Sequence, residues 1–539
     1  MSDSKFLKGT LILTVGTFFI KFLGMIYVIP FYHLVGTQGG ALYNYGYNPY
    51  TIFLSIATAG VPLAVSKFVS KYNALGQYRT SRKMFTSGLT LLTITGILSF
   101  LILYIIAPYI APATDPKYGN STQDIVMVIR MTSVALIIVP MQSIIRGFFQ
   151  GHQSMGPTTM SQLIEQIVRI IFLLGSCYLV IKVFHGSIAL AIGWSTFAAF
   201  VGAAAGLGIL LWYWFSRKKY LDELLEKDTT GIDIPLSTMF KELLTYAIPF
   251  VFVGMAIPLY TQIDNQTFNH AMISIGKGKI ADTALSILNM YARQLSNIPV
   301  SLATAFSLTL VPTITKFYIA KDHKGLQRQV SQIFQLVLFL TAPAAIGMAV
   351  LGYPLYTAFF SSSDLGGMLL TWCAPNSIFF ALYSISAAVL QGINKQKHAV
   401  LGTLYGVIIK AVINIPLIKL MQANGSILAT EIGFTVSIVY ICIQIKRQAN
   451  ISFNLILRRS LLIMIFVTIM AIAVKIVESI CSLFLSYEAS RGQAIMILIP
   501  SILVGMIVYI YLSAKSGLME KMLGKTITSK MKRIVLRRG

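Results

Sequence analysis

The chain is divided into fourteen long apolar runs, and no other feature narrows its possible folds so far. They lie at about 8–34, 45–70, 84–110, 124–149, 158–182, 186–215, 242–269, 284–315, 330–360, 367–392, 399–420, 425–445, 460–485 and 491–513. A helix that spans a bilayer needs roughly 20 mostly apolar residues. The expected fold is therefore all-α and polytopic, with about fourteen transmembrane helices. Only 11% of the 539 residues are charged, against about 25% in soluble domains. The four cysteines are scattered through apolar segments, so neither a disulfide framework nor a zinc site is expected. The first run is too long for the core of a cleaved signal and has no small-residue cleavage site behind it, so it reads as a retained helix.

The 43 Lys and Arg residues exceed the 18 Asp and Glu, for a net charge of +25. In a soluble protein that excess would suggest nucleic acid. Here the cations gather in short gaps between apolar runs, as the positive-inside rule describes. An even number of spans with both termini in the cytoplasm puts 29 cations on that side and seven on the other. No nucleic-acid partner is expected.

The second half of the chain echoes the first. Lys67-Phe68, Gly76, Arg79 and Phe85 recur as Lys316-Phe317, Gly325, Arg328 and Phe334, an offset of 249. Gln150-Gly151 recurs as Gln391-Gly392, and Arg169 matches Lys410 at that second offset. A six-span repeat is even, so both copies enter from the same side, as in a parallel repeat. The expected plan is an N-lobe of helices 1–6 (residues 1–220), a cytoplasmic linker (221–241) and a C-lobe of helices 7–12 (242–450) around a central cavity. Helices 13 and 14 (451–515) and a basic cytoplasmic tail (516–539) follow.

Ionisable residues inside spans are candidates for function, because a cation at mid-bilayer costs about 2.5–3.5 kcal/mol on insertion scales. Lys21 shares one face of the first span with Thr10, Thr14, Thr17 and Gly24. Arg293 lies in the eighth span with Asn289, Ser296, Asn297 and Thr304 on much the same face. Glu165 and Arg169 stand four apart with the acid first, the favourable order for an intrahelical pair; a structural pair and a substrate contact both stay open. Arg146 reads as a cavity candidate or a topology anchor, and the facing of Arg130 cannot be read. Asp264, Asn414 and Thr430 supply oxygen atoms from three spans, which suits a sodium ion, while a lone carboxylate would instead carry a proton. Ordinary helix packing through these polar groups competes with both. No nucleotide-binding loop or catalytic constellation is present, so a transporter is expected rather than an enzyme, and no organic cofactor is called for.

Two stretches carry a resemblance. YARQLSNIPVSLATAFSLTLVPTITK (Tyr291 to Lys316) and RGFFQGHQSMGPTTMSQLIEQIVR (Arg146 to Arg169) resemble the MurJ-type lipid II flippases, in a branch with SpoVB-like polysaccharide exporters. The resemblance covers essentially residues 1–513. It implies a flippase that moves an undecaprenyl-pyrophosphate-linked peptidoglycan precursor across the bacterial cytoplasmic membrane by alternating access. A flippase for another lipid-linked glycan, such as a teichoic acid or capsule unit, is the rival. A drug/cation antiporter of the same fold is disfavoured by Lys21 and Arg293, and a membrane-bound glycosyltransferase or division scaffold by the lack of a catalytic acid cluster or soluble domain.

Residue by residue, the resemblance implies that Arg293 and Lys21 match family arginines of the cavity. Two further family arginines fall near Tyr27 and Tyr47, so a less cationic site is expected, lined also by Asn297. Arg146, Glu165 and Arg169 are secondary candidates. The family's sodium ligands match Asp264, Asn414 and Thr430, while a second acid corresponds to Ile418. Helices 13 and 14 would line a groove for the lipid tail. The partners implied are the lipid-linked anionic glycan precursor, membrane lipids and transient contacts with cell-wall synthesis proteins.

Overall fold

The computed structural model describes residues 19–523 except 21, 59–60, 113–118, 229–234, 236, 240 and 242–250. Lys21 therefore lies outside the described residues, as do Thr10, Thr14 and Thr17. The described part is helical, and ten of its helices are long and apolar enough to cross a membrane. They run from Tyr78–Ile110 through Thr122–Gly151, Met155–Val183, Ile188–Ser216, His323–Val350, Asp364–Gly392, Gln396–Met421, Ala423–Ala449 and Asn454–Ser482 to Arg491–Lys515. Their outward faces are apolar: Tyr109, Phe215, Val412, Leu461 and Ile480 are all exposed. In water such exposure would drive aggregation; in lipid it is the ordinary surface. Three more long helices, Val28–Thr58, Ala256–Ser274 and Ala292–Ile319, are not among the ten. They carry Asn44 and Asn48, then Asp264 and Asn265, then Arg293 and Asn297.

Several helix starts follow local chemistry. Ser121, Ser187, Ser363 and Ser490 each accept a bond at Oγ from the backbone N–H three residues on, and Asp322 does the same for Gly325. A capping side chain satisfies one of the N–H groups a helix start leaves open. One expected gap is bridged by a helix, and one apolar run is interrupted where the pattern gave no warning. The helix Val28–Thr58 changes direction at Gly36, whose φ of 62° needs a residue without Cβ, and it resumes at once, where the sequence predicted a gap from 35 to 44. The predicted ninth span, 330–360, is the helix His323–Val350 followed by a separate short helix, Gly352–Phe359. A Cβ on Gly352 would lie 2.9 Å from the carbonyl of Gly367, so the short helix folds back against Asp364–Cys373.

The chain divides into two compact units, Met1–Gln266 and Thr267–Gly539. In the first, Val65, Phe68, Met84, Phe85, Ile144 and Phe148 form the core, with Trp214 packed on it. In the second, Phe339, Ile463, Phe466, Met470, Leu498 and Tyr509 join the helices Asn454–Ser482 and Arg491–Lys515 to His323–Val350. The Tyr509 hydroxyl donates to the Phe339 carbonyl at 2.9 Å.

Two turns of the first unit recur in the second, bond for bond. Gln77 N–H donates to Tyr72 O at 2.9 Å and Asp322 N–H to Phe317 O at 3.0 Å, with Gly76 and Lys321 at φ 75° and 55°. Ser154 N–H donates to Phe149 O at 2.9 Å and Lys395 N–H to Leu390 O at 2.8 Å, with Gln153 and Asn394 at φ 56° and 57°. These are helix stops closed by a left-handed residue. The second pair keeps the offset of 241 between Gln150 and Gln391, but the first aligns at 245, not 249. Matching Gly76 to Gly325 overshoots by one helical turn. The stop requires a positive φ, which Lys321 supplies, whereas Gly325 lies in the first turn of the next helix beside Phe317.

Close approach should be measurable at Gly96, where an added Cβ would lie 2.6 Å from the backbone oxygen of Leu136. Gly96→Ala is expected to destabilise the detergent-solubilised protein by about 1–3 kcal/mol, read as a lowered melting temperature. Gly208→Ala, with nothing within 4 Å of the new methyl, should leave the melting temperature unchanged or raise it slightly.

Candidate functional site

The polar groups of the first unit begin with two helices. On Met155–Val183, Ser161, Glu165 and Arg169 recur every four residues and share one face. On Val139–Gly151, Gln142 and Arg146 do the same. The Glu165 carboxylate accepts from Arg146 Nη2 at 2.6 Å and from Gln142 Nε2 at 2.9 Å. Arg146 also donates from Nη2 and Nε to Ser161 Oγ at 2.8 and 3.2 Å, and Ser161 passes its own proton to the Gly206 carbonyl at 2.9 Å. Glu165 is thus engaged across helices. The intrahelical spacing to Arg169 is not the contact it uses, and Arg146 is a neutralised, structurally engaged cation.

Arg169 goes elsewhere. Its guanidinium lies 5.0 Å from the centre of the Tyr47 ring. Tyr47 stacks on Tyr43 with centroids 5.4 Å apart and lies 5.3 Å from Tyr50. The row continues through Phe31, 5.4 Å from Tyr43, to Tyr27 at 6.5 Å. Tyr27 and Tyr47, the two positions where the resemblance leads to arginine, therefore belong to one aromatic row, and a cation from another helix stands on it. The pair Gly202 and Gly206 makes room for this arrangement. A Cβ on Gly202 would lie 2.8 Å from Glu165 O and 2.9 Å from Arg169 Cβ. The small-xxx-small spacing of 202 and 206 is a helix-packing signal that could have been read from the sequence and was missed.

The helix Val28–Thr58 is tied to Ala256–Ser274 by amide bonds. Asn44 Nδ2 donates to Asn265 Oδ1 at 2.7 Å, and Asn48 Nδ2 to Gln262 Oε1 at 2.9 Å. Asp264, next to Asn265, is fully buried. Arg130, whose facing the sequence could not give, lies with its guanidinium 4.8 Å from the Tyr104 ring and donates from Nε to the Tyr104 carbonyl at 3.3 Å.

In the second unit, Arg293 and Asn297 lie one turn apart and are half-buried. The turn before them, Ile287–Tyr291, is π-helical, a feature frequent at functional sites. Arg293 Nη2 donates to the side-chain Oδ1 of Asn289 at 3.4 Å, and Tyr291 packs 5.1 Å from Phe360. The helices Gln396–Met421 and Ala423–Ala449 pack together and bring Asn414 and Thr430 into one polar region. Asn414 Nδ2 donates to Thr267 Oγ1 at 2.8 Å. Thr430 Oγ1 donates to Ser426 O at 2.9 Å and accepts from Lys410 Nζ at 2.6 Å.

That last bond bears on sodium. Lys410 is fully buried, and an ion bound to Thr430 would lie within about 4 Å of its ammonium. Two like unit charges at that distance repel by about 4 kcal/mol at an effective dielectric of 20. Ile418, also fully buried, supplies no carboxylate to offset the repulsion. The residues present do not fit a sodium ion at Thr430.

The fold and these polar helices define a class, that of polytopic helical transporters. The model of the family described as polysaccharide biosynthesis protein matches residues 6–318. Lipid II flippase MurJ of Bacillus subtilis (strain 168) is 48% identical over 532 residues, covering 97% of this chain and 98% of that protein. Among solved structures, a lipid II flippase MurJ in an inward closed conformation matches with a TM-score of 0.64 at 16% identity, over 94% of this chain and 99% of that one. An inward-facing multidrug resistance MATE family transporter of the MOP superfamily matches with a TM-score of 0.59 at 13% identity, over 80% and 99%. These two likenesses establish the fold. The chain belongs to the polysaccharide biosynthesis protein family, and within it to the MurJ family.

The two arginines of the first unit should separate experimentally. Losing one partner of the Arg146–Glu165 pair strands the other, at about 3–5 kcal/mol for a fully buried pair. With the side chains 14% and 20% exposed, about 1–3 kcal/mol is expected for Arg146→Gln or Glu165→Gln. Arg169→Gln loses only a ring contact and should cost under about 2 kcal/mol. Thermal unfolding of the three purified variants decides this, and a larger loss for Arg169→Gln would reverse the assignment.

Proposed function

We propose that this chain is a flippase that carries lipid II from the inner to the outer leaflet of a bacterial cytoplasmic membrane. The observation that carries the reading is the 48% identity, spread over 97% of the chain, to a protein named for that activity. The chemistry of the described residues agrees with it. The transported headgroup is anionic, and Arg169 and Arg293 are half-buried cations on long helices. We assign Lys21 and Arg293, with Arg169 as a secondary candidate, as residues that each meet the anionic headgroup during transport, and Tyr27, Tyr47 and Asn297 as further contacts. A guanidinium presents five N–H donors in a fixed fork that matches phosphate oxygens, so Arg169 can rest on the Tyr47 ring and still donate to an anion.

The finer architecture is part of the same proposal. Six helices are repeated as a parallel pair with two more at the C-terminus, for about fourteen spans, and both termini lie in the cytoplasm. The repeated turns at Gly76 and Lys321, and at Gln153 and Asn394, support the repeat; the distribution of Lys and Arg supports the orientation. The apolar contact of helices 13 and 14 with His323–Val350 leaves their other faces exposed, as a groove for a polyprenyl tail requires.

No nucleotide motif supplies energy, and the membrane potential can do so. Each elementary charge moved through the whole field is worth about 2.3 kcal/mol per 100 mV. A headgroup with about two negative charges moves outward with a field that is negative inside, and the emptied cationic site is drawn back.

Depletion of the protein in cells is expected to accumulate lipid II on the inner leaflet. Accumulation of a different lipid-linked glycan would transfer the assignment to that substrate. Arg169→Gln, Arg293→Gln and Lys21→Gln should each fail to complement at wild-type membrane levels, and full complementation by all three would remove the headgroup assignment. Collapsing the potential with an ionophore at constant ion gradients should slow arrival of lipid II at the outer leaflet; an unchanged rate would take the potential out of the mechanism.

A further inference from the structure

The helices Gln396–Met421 and Ala423–Ala449 enclose a lysine that the flippase reading does not use. Lys410 is fully buried, and its Nζ donates to Thr430 Oγ1 at 2.6 Å. We propose that this amino group stands permanently where the resemblance puts an exchangeable metal ion, so that the chain carries the cation of that region covalently and binds no sodium there.

The geometry supports this in three steps. The Thr430 hydroxyl has one proton, and it is spent on the Ser426 carbonyl at 2.9 Å. Of its two lone pairs one is engaged by Lys410, so a metal ion on the other would sit beside the ammonium. Lys410, Asn414 and Ile418 are spaced four apart and share one face of their helix. Along that face the buried Ile418 stands where the resemblance implies an acid, and the buried cation Lys410 stands one turn before Asn414. An ammonium present and a carboxylate missing leave this face unsuited to a second, mobile positive charge. The Asn414 amide is also engaged, with Nδ2 donating to Thr267 Oγ1 at 2.8 Å.

A tethered cation differs from a bound one in what it can sense. It cannot dissociate, so sodium concentration does not act on this helix pair. As a positioning residue, Lys410 joins the two helices through Thr430.

The test uses the purified full-length protein in lipid nanodiscs, without any lipid-linked glycan, so its outcome is separate from that of the flippase reading. Melting temperatures are compared in sodium, potassium and choline chloride at equal ionic strength, with radioactive sodium uptake measured in parallel. Wild type should melt at one temperature in all three salts and take up no saturable sodium. Lys410→Ala opens the space at Thr430 and should gain a sodium-over-choline shift of several degrees. Lys410→Met fills that space without charge and should show no such shift. The response gained by Lys410→Ala should vanish in the double variant Lys410→Ala, Thr430→Val. If Lys410→Ala cannot be purified, Lys410→Ser replaces it. A sodium-selective shift or saturable uptake in wild type overturns the proposal. So does a small-residue variant as indifferent to sodium as wild type, because Lys410 would then be only a packing group.

Discussion

A polar group buried in lipid must be paired inside the protein, because no water is available to solvate it. Helices settle this for the backbone, and the side chains are left to find partners across helices. The inward faces of the polar helices are organised by that requirement. Asn44 finds Asn265 and Asn48 finds Gln262; Gln142, Arg146, Ser161 and Glu165 close a network that ends on the Gly206 carbonyl. Gly202 and Gly206 are small because this network brings two helices into backbone contact. The faces of these helices that carry no polar group meet no such demand and present large apolar side chains.

The same requirement explains how much could be read in advance. The positions of the ten long apolar helices were legible because an apolar run long enough to cross a bilayer has few alternatives in a chain with 11% charged residues. Breaks inside runs were not legible. Gly352 is one glycine among 40, and what accompanies the break there is a neighbouring carbonyl; at Gly36, inside the expected gap, the chain turns at a φ of 62° but the helix resumes. Two recurring turns are visible in the sequence, but the match at the first is displaced by a turn of helix. Residue identity was matched there, whereas the stop selects a left-handed backbone, and Lys321 adopts one as Gly76 does.

Partners of charged residues were the least legible part of the site. Spacing proposed Arg169 for Glu165, since four residues apart is what a single helix makes close. Arg146 won because the next helix places it 2.6 Å away with Gln142 and Ser161 beside it, and no linear pattern encodes that. Tyr27 and Tyr47 read as lost cations; their value lies in forming a row on which a cation from another helix rests. Lys410 read only as a repeat match to Arg169, and its bond to Thr430 required the helix pair to be seen.

Three of the buried or half-buried cations thus hold their charge in different ways. Arg146 faces a carboxylate, so the pair is neutral and offers little to an incoming anion. Lys410 spends a donor on a hydroxyl that is itself committed to Ser426, which fixes its position within one helix pair. Arg169 rests on an aromatic face. A ring attracts a cation through its quadrupole, worth about 0.5–2 kcal/mol, and carries no negative charge of its own. The guanidinium is thereby held in place with its positive charge intact. A tyrosine at position 47 supports the arginine of another helix without adding a second charge to desolvate. The arrangement keeps one guanidinium charged at lower cost than two adjacent arginines, whose mutual repulsion would have to be overcome.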